Sequence, residues 1–216
     1  MPSDIPLIAL LSIATLLPFL IACGTCYIKF SIVFMIVRNA LGMQQVPSNI
    51  TLNGIALILA LYVMMPVMQS AYEHYQTDVV SFNDAASLAA FMEDGLGDYK
   101  SYLVKYSDPS LVSFFEDVQR KNGGAQQVTG EQASITSLLP SYALTEITSA
   151  FRIGFYIYLP FIVIDLVVSS VLLSLGMMMM SPVTIATPIK LVLFVVLDGW
   201  SLLSKGLILQ YMDLVK

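Results

Sequence analysis

Leu175-Gly176-Met177-Met178-Met179-Met180-Ser181-Pro182 is the stretch that decides the fold. Glycine just past a helix readily adopts the left-handed backbone conformation, and proline soon after it lacks the N–H that a continuing helix needs. This order of residues predicts that one helix ends near Gly176 and that another begins near Pro182. We call residues 175–181 the methionine turn. Four consecutive flexible thioethers cannot all face one core, so the turn is predicted to conform to a varied surface.

The chain around this turn is apolar enough to form membrane-spanning helices. Of 216 residues, 57% are apolar and 12% are charged, against roughly 45–50% and about 25% in an average soluble domain. A span needs about 20 residues at 1.5 Å per residue. Four segments reach that length with few charges, namely 5–37, 50–72, 153–189 and 191–212. We therefore predict an all-α protein with two hydrophobic helical hairpins.

The first hairpin has a turn whose sequence is similar to that of the methionine turn. Leu41-Gly42-Met43 reappears 134 positions later as Leu175-Gly176-Met177, and Pro47 follows the first copy as Pro182 follows the second. Each half is thus predicted to be helix, tight turn, helix, related as a parallel repeat. Chance matches in a chain of biased composition are the alternative explanation.

A polar insert separates the hairpins. The predicted organisation is an N-terminal hairpin at 1–72, a mainly helical periplasmic insert at 73–147, and a C-terminal hairpin at 148–216. The insert has a net charge of −7, and Asp108-Pro109 is typical of a helix start. Residues 122–137 include a polar stretch without periodicity, which predicts a mobile loop. The scarce basic residues place the hairpin turns on the cytoplasmic side.

Four charges lie inside the apolar segments: Lys29, Asp165, Asp198 and Lys205. Each would cost about 2.5–3.5 kcal/mol at the centre of a bilayer without a partner. Pairing between helices, contacts between subunits and an ion relay are the alternatives. Asp165 is a candidate partner of Lys105 or Arg152 in the same or a neighbouring copy.

Several classes of function are disfavoured. A formal charge of −5 excludes the basic field that nucleic acid binding needs. One His and two Cys are too few for a Zn or Fe–S site from this chain alone. Cys23 and Cys26 lie in an apolar run of small residues, where close helix packing explains them better than redox chemistry. We expect no catalysis and no cofactor.

The longest motifs resemble those of the type III secretion export-gate family of SctR and FliP, closest to its invasion-type injectisome members. The likeness is carried by residues 175–182, by Pro160 to Val167, by Leu197-Asp198-Gly199-Trp200, by residues 140–147, and by 30–33 with 38–42. It therefore covers nearly the whole chain.

This resemblance implies a subunit of a pore. It implies a pentameric ring with SctT-type, SctS-type and SctU-type subunits within the needle-complex base of the bacterial inner membrane, with much of the assembly on the periplasmic side. Unfolded effector, needle and rod proteins would pass through its centre. Residues Met177, Met178, Met179 and Met180 match the family's gasket, and Asp165 matches an inter-subunit ion-pair position whose basic partner corresponds to Lys105. An ion-coupled secondary transporter is the alternative function.

Overall fold

The computed structural model describes residues 21–77, 97–121, 133–177 and 179–212, together with Leu11, Thr15, Pro18 and Phe19. All regular structure in these residues is helical, which confirms the predicted all-α class. Seven helices are numbered here in chain order: α1 Tyr27–Ala40, α2 Asn49–Thr77, α3 Gly97–Tyr106, α4 Pro109–Lys121, α5 Ile135–Ser174, α6 Pro182–Val196 and α7 Gly199–Leu209.

The chain forms two compact units. The insert unit combines residues 1–28 with 64–146, and the hairpin unit combines 29–63 with 147–216. Tyr102, Leu103, Leu138 and Tyr142 are fully buried in the insert unit. The core of the hairpin unit contains Phe30, Phe34, Val37, Leu207 and Tyr211, all nearly inaccessible. The predicted division of the chain near residues 72 and 147 stays a prediction.

The two hairpin turns are built in the same way. After α1, the N–H of Gly42 donates to the carbonyl of Asn39 at 3.0 Å and that of Met43 to Arg38 at 3.3 Å. After α5, the corresponding bonds run from Gly176 to Leu173 at 3.0 Å and from Met177 to Leu172 at 3.0 Å. Both glycines have positive φ, 78° and 73°. Both helices therefore end in a Schellman motif at the predicted 134-residue offset.

The last predicted segment is not one helix. It breaks at Leu197 and Asp198, where the axes of α6 and α7 differ by 60°. Asp198 has φ 49°, a left-handed conformation that Asp tolerates better than most residues. A Cβ at Gly199 would overlap the ring of Phe194, so the residue after the break has to be glycine. The sequence prediction of a continuous helix over 191–212 is wrong at this point.

Helix α5 is longer than predicted at its N-terminal end. It begins at Ile135, so the last three residues of the predicted mobile loop 122–137 are helical, while 122–132 lie outside the described residues. Its 40 residues extend about 60 Å, twice the ~30 Å hydrocarbon layer of a bilayer. A bilayer can therefore cover only about half of this helix.

Prolines within the apolar segments do not end the helices. Pro160 lies inside α5, Pro66 inside α2 and Pro188 inside α6, and each helix continues past its proline. Among the prolines of the apolar segments within described helices, Pro182 alone begins one, at the first turn of α6, where a missing N–H costs nothing.

Within the described residues, two helices are long and apolar enough to cross a membrane. These are Asn49–Ser70 of α2 and α5, and the bent pair α6 and α7 is a third candidate if it counts as one span. Only 11% of the apolar window in α5 is buried within the chain. This surface is therefore covered by something outside the chain, either lipid or other protein.

Candidate functional site

The methionine turn lies on the surface at the end of the α5–α6 hairpin. Side-chain exposure is 41% for Met177, 102% for Met179 and 45% for Met180, while Met178 lies outside the described residues. Together with Gly176, the three methionines line a shallow concavity of about 440 Å³. The prediction that these methionines have no common core holds for the three described ones.

A partly buried ion pair joins the two helices of the hairpin that carries this turn. The ammonium of Lys190 in α6 donates to the carboxylate of Asp165 in α5 at 2.6 Å and to the carbonyl of Ala40 at 3.0 Å. The Lys190 side chain is 5% exposed and that of Asp165 is 40% exposed. The exposed part of this carboxylate remains available to a further partner.

Sequence reasoning missed this pairing, although a signal for it was present. Asp165 is nine residues before the end of α5 at Ser174, and Lys190 is eight residues after the start of α6 at Pro182. Antiparallel helices joined by a short turn place residues at equal distances from that turn side by side. The sequence analysis named Lys105 or Arg152 as candidate partners of Asp165.

Helix α6 also holds the first hairpin turn. The carbonyl of Ala40 belongs to the last residue of α1, where the helix dipole favours a cation such as Lys190. One turn earlier, Thr187 packs on Gly42, and a Cβ at Gly42 would lie 2.6 Å from its hydroxyl oxygen. Helix α6 follows the methionine turn, and the face that carries Thr187 and Lys190 contacts the turn after α1. One face of α6 therefore connects the two turns that were predicted as a repeat.

The basic residues of α1 are also buried in the hairpin unit. Lys29 donates to the side chain of Gln210 at 3.3 Å, and its ammonium lies 4.7 Å from the centre of the Tyr211 ring. Arg38 donates to the carbonyl of Pro47 at 3.1 Å and to Asn49 at 2.6 Å. Arg38 therefore stabilises the segment that connects α1 with α2.

Asp198 and Lys205, in contrast, are exposed. Within the described part of the chain, neither side chain has a hydrogen-bond or ion-pair partner. Both lie in the bent pair α6 and α7, among exposed apolar residues such as Leu197, Leu202 and Leu209. An apolar environment outside the chain would make each of these charges costly unless it is paired there.

The insert unit contains a cluster of tyrosines. The hydroxyl groups of Tyr102 and Tyr142 share a hydrogen bond, and the Tyr99 hydroxyl donates to the carbonyl of Gly24 at 2.9 Å. Burial raises the pKa of Tyr99 to about 12, and burial likewise raises the pKa of Tyr102. These phenols are therefore neutral at physiological pH and serve as packed hydrogen-bonding groups.

Two sequence predictions for the insert unit can be compared with this cluster. A side chain at Gly24 would overlap Tyr99, which agrees with close packing at the small residues around Cys23 and Cys26, and both cysteines are free thiols. The Lys105 ammonium lies 5.7 Å from the centre of the Tyr106 ring. Its predicted contact with Asp165 of a neighbouring copy is not tested and stays a prediction.

The predicted start of α4 is confirmed. The carboxylate of Asp108 accepts the backbone N–H of Ser110 at 2.8 Å and its hydroxyl at 2.7 Å. These hydrogen bonds lower the pKa of Asp108. Pro109 is the first residue of the helix, as the Asp-Pro pair predicts.

The arrangement as a whole offers mobile apolar side chains on a rigid support. The three exposed methionines lie between two helices whose ends are held by a Schellman motif, a proline start and a partly buried ion pair. Among the described residues no group of three or more His, Cys, Asp or Glu side chains could hold a metal ion. Such a surface can contact another polypeptide or a second copy of itself.

Comparison with known proteins bears on this arrangement. The sequence model of the FliP family matches residues 10–207. The chain is 62% identical over 222 aligned residues to the surface presentation of antigens protein SpaP of Salmonella typhimurium, with 99% of both chains covered. It is 58% identical to SpaP of Shigella flexneri, again with 99% covered, and 45% identical to Yop proteins translocation protein R of Yersinia pestis, with 98% of both chains covered.

Proposed function

The chain belongs to the FliP family of type III secretion export-apparatus proteins, and from this premise we propose that it is a pore-forming subunit through which unfolded protein substrates cross the bacterial inner membrane. The names of the family and its relatives point to a structural component of the secretion apparatus and not to an enzyme. Two helices apolar enough to span a membrane fit an inner-membrane location.

The observation that carries this proposal is the exposure of the methionine turn. Met179 is fully exposed, and Met177 and Met180 are about half exposed, at the end of a hairpin. Exposed methionine side chains do not stabilise a surface in water, whereas a ring of copies would bring the turns together around one axis. Unbranched thioethers adapt to irregular surfaces. They can close the pore to ions by packing or dewetting and still deform around a polypeptide.

The partners form a second part of the proposal. A ring of this chain, pentameric in the family it resembles, would associate with SctT-type, SctS-type and SctU-type subunits in the needle-complex base, partly on the periplasmic side. Lys190 holds one oxygen of Asp165, and the side chain of Asp165 is 40% exposed. That exposed part can accept Lys105 of a neighbouring copy. Effector, needle and rod proteins would be the substrates in transit.

A substitution of the turn tests the seal. Replacing Met177, Met178 and Met179 together by Ala removes three flexible side chains without disturbing the positive φ of Gly176. We expect an intact complex that leaks, measured as increased ion conductance in planar bilayers or increased sensitivity of cells to small toxic solutes.

The matched control replaces Met65 and Met68 of α2 by Ala. Both are similarly exposed, at 56% and 58%, but lie away from the turn in sequence. Equal leakage in the control and the turn variant, or an impermeable turn variant, would exclude the methionine seal. The native mass of the detergent-extracted complex separates this function from the ion-coupled transporter, because a monomer or dimer favours the transporter and a multi-subunit ring favours the pore.

A further inference from the structure

A surface groove in the hairpin unit contains a charge that no described residue neutralises. Leu59, Tyr62, Ile208, Leu209 and Lys205 line this groove of about 530 Å³. Lys205 is exposed and, within the described residues, has no ion-pair or hydrogen-bond partner. A single ammonium group in an apolar groove is suited to an apolar segment that carries one carboxylate.

The position of the groove favours protein over a lipid headgroup as the partner. Leu59 and Tyr62 are at the middle of the candidate span Asn49–Ser70. In a bilayer this middle lies about 15 Å from either headgroup layer, whereas an extended lysine side chain reaches about 6 Å from its Cα. Protein packed against the same part of the hairpin unit is therefore the better source of a carboxylate for Lys205.

One carboxylate in the described apolar segments is suitable. Of the two acidic residues in the described apolar segments beyond Ile153, Asp165 is bound to Lys190, and Asp198 is exposed without a side-chain partner. Asp198 and Lys205 of the same chain are seven residues apart across α7, a rise of about 10 Å. In the structure, Asp198 and Lys205 of the same chain form no ion pair with each other.

We infer that Asp198 of one copy binds in the groove of the next copy and forms an ion pair with its Lys205. Among the described residues, the bent segment of α6 and α7 has one anion and one cation without a partner, so a closed head-to-tail ring pairs both of these charges in every copy. This inference rests on the proposed ring and identifies an interface within it. A carboxylate of a different export-apparatus subunit in the groove is the competing occupant.

Cysteine cross-linking tests the contact in assembled complexes. Cys23 and Cys26 are first replaced by Ser, and Asp198→Cys and Lys205→Cys are then combined in one chain. After mild oxidation of membranes, we expect a ladder of disulfide-linked multimers beyond the dimer on a non-reducing gel. Chains with either new cysteine alone serve as controls and should stay below the trimer.

Neutralising variants provide a second readout that does not need a cysteine. Asp198→Asn keeps a residue that tolerates positive φ, and Lys205→Met keeps the length of the side chain. Each single variant leaves one unpaired charge and should lower the yield of multi-subunit complex on the order of tenfold. The double variant should recover most of that loss.

The outcomes separate this inference from the proposed function. A multi-subunit complex of normal native mass without the ladder, or with dimers only, would contradict the pairing of Asp198 with Lys205 and leave the ring intact. Cross-linking of Lys205→Cys to a different subunit would assign the groove to that subunit and overturn the inference. A native mass no larger than a dimer would contradict the ring itself.

Discussion

The ion pair between Asp165 and Lys190 should be asymmetric in its effect on stability. Lys190 is 5% exposed and Asp165 40% exposed. Asp165→Ala therefore leaves a buried ammonium whose remaining acceptor is the Ala40 carbonyl, whereas Lys190→Met leaves a carboxylate that still reaches the outside of the chain. Breaking a fully buried pair costs about 3–5 kcal/mol, and partial exposure reduces that amount. We expect a loss of about 2 kcal/mol for Asp165→Ala and about 1 kcal/mol for Lys190→Met.

The single tryptophan makes this loss measurable. Trp200 is the only tryptophan of the chain, and its ring lies 5.3 Å from that of Phe194 and 6.0 Å from that of Phe34 in the hairpin unit. Its fluorescence during thermal unfolding in detergent thus reports on the unit that contains the ion pair. For a chain of this size, 1 kcal/mol shifts the Tm by about 2–4 °C. The expected decreases are about 4–8 °C for Asp165→Ala and about 2–4 °C for Lys190→Met.

A double variant completes the test. Asp165→Leu with Lys190→Met replaces both charges by apolar groups, and such replacements are often neutral, so its Tm should exceed that of Asp165→Ala. Two results would refute the reasoning: a larger loss for Lys190→Met than for Asp165→Ala, or a double variant whose loss equals the sum of the single ones.

Two further predictions concern the turns and the insert. Gly42→Ala and Gly176→Ala both place a Cβ at positive φ, which costs about 1–2 kcal/mol, but only at Gly42 does the new Cβ also meet Thr187. Thermal unfolding should therefore show a larger decrease in Tm for Gly42→Ala, and adding Thr187→Ala should recover the difference. Equal decreases in Tm would contradict the packing of Thr187 on Gly42. Asp108→Ala removes the cap of α4, so amide exchange at Ser110 and Leu111 should accelerate relative to the control Asp117→Ala. Because the folded-state pKa of Asp108 is lowered, its capping stabilisation is present above the unfolded-state pKa and is lost as the pH falls through the folded-state value. Protection factors at Ser110 and Leu111, corrected for the intrinsic exchange rate, should therefore fall in acid, and protection factors that stay constant would argue against the cap.

The sequence predicted those parts of the fold that depend on local chemistry. Gly42 and Gly176 define both helix ends because few other residues adopt a positive φ, and Asp108 with Pro109 defines a helix start for similarly local reasons. The break at Asp198 was missed because Asp has no strict preference for that conformation. The reason for it is tertiary, since the ring of Phe194 occupies the space beside Gly199.

The site was predicted less completely than the fold. The methionine turn was identified from composition alone, because four adjacent thioethers have few structural explanations. Predicting the partner of Asp165 requires the register between α5 and α6, and this register follows only once the ends of both helices are known. The start of α5 at Ile135 was missed because the polar residues up to 137 lack periodicity, whereas the structure continues the helix through them and through Pro140.

The most direct test of the pore is to trap a substrate beside the methionine turn. In a chain with Cys23 and Cys26 replaced by Ser, Met179→Cys carries a photoactivatable cross-linker while a secreted protein fused to a stably folded domain is stalled during export. The account predicts an adduct between Met179→Cys and the stalled substrate, and none from the control Met68→Cys, which is also exposed. Absence of the Met179 adduct while export is stalled, or an equal adduct at Met68, would contradict a conduit lined by the methionine turn.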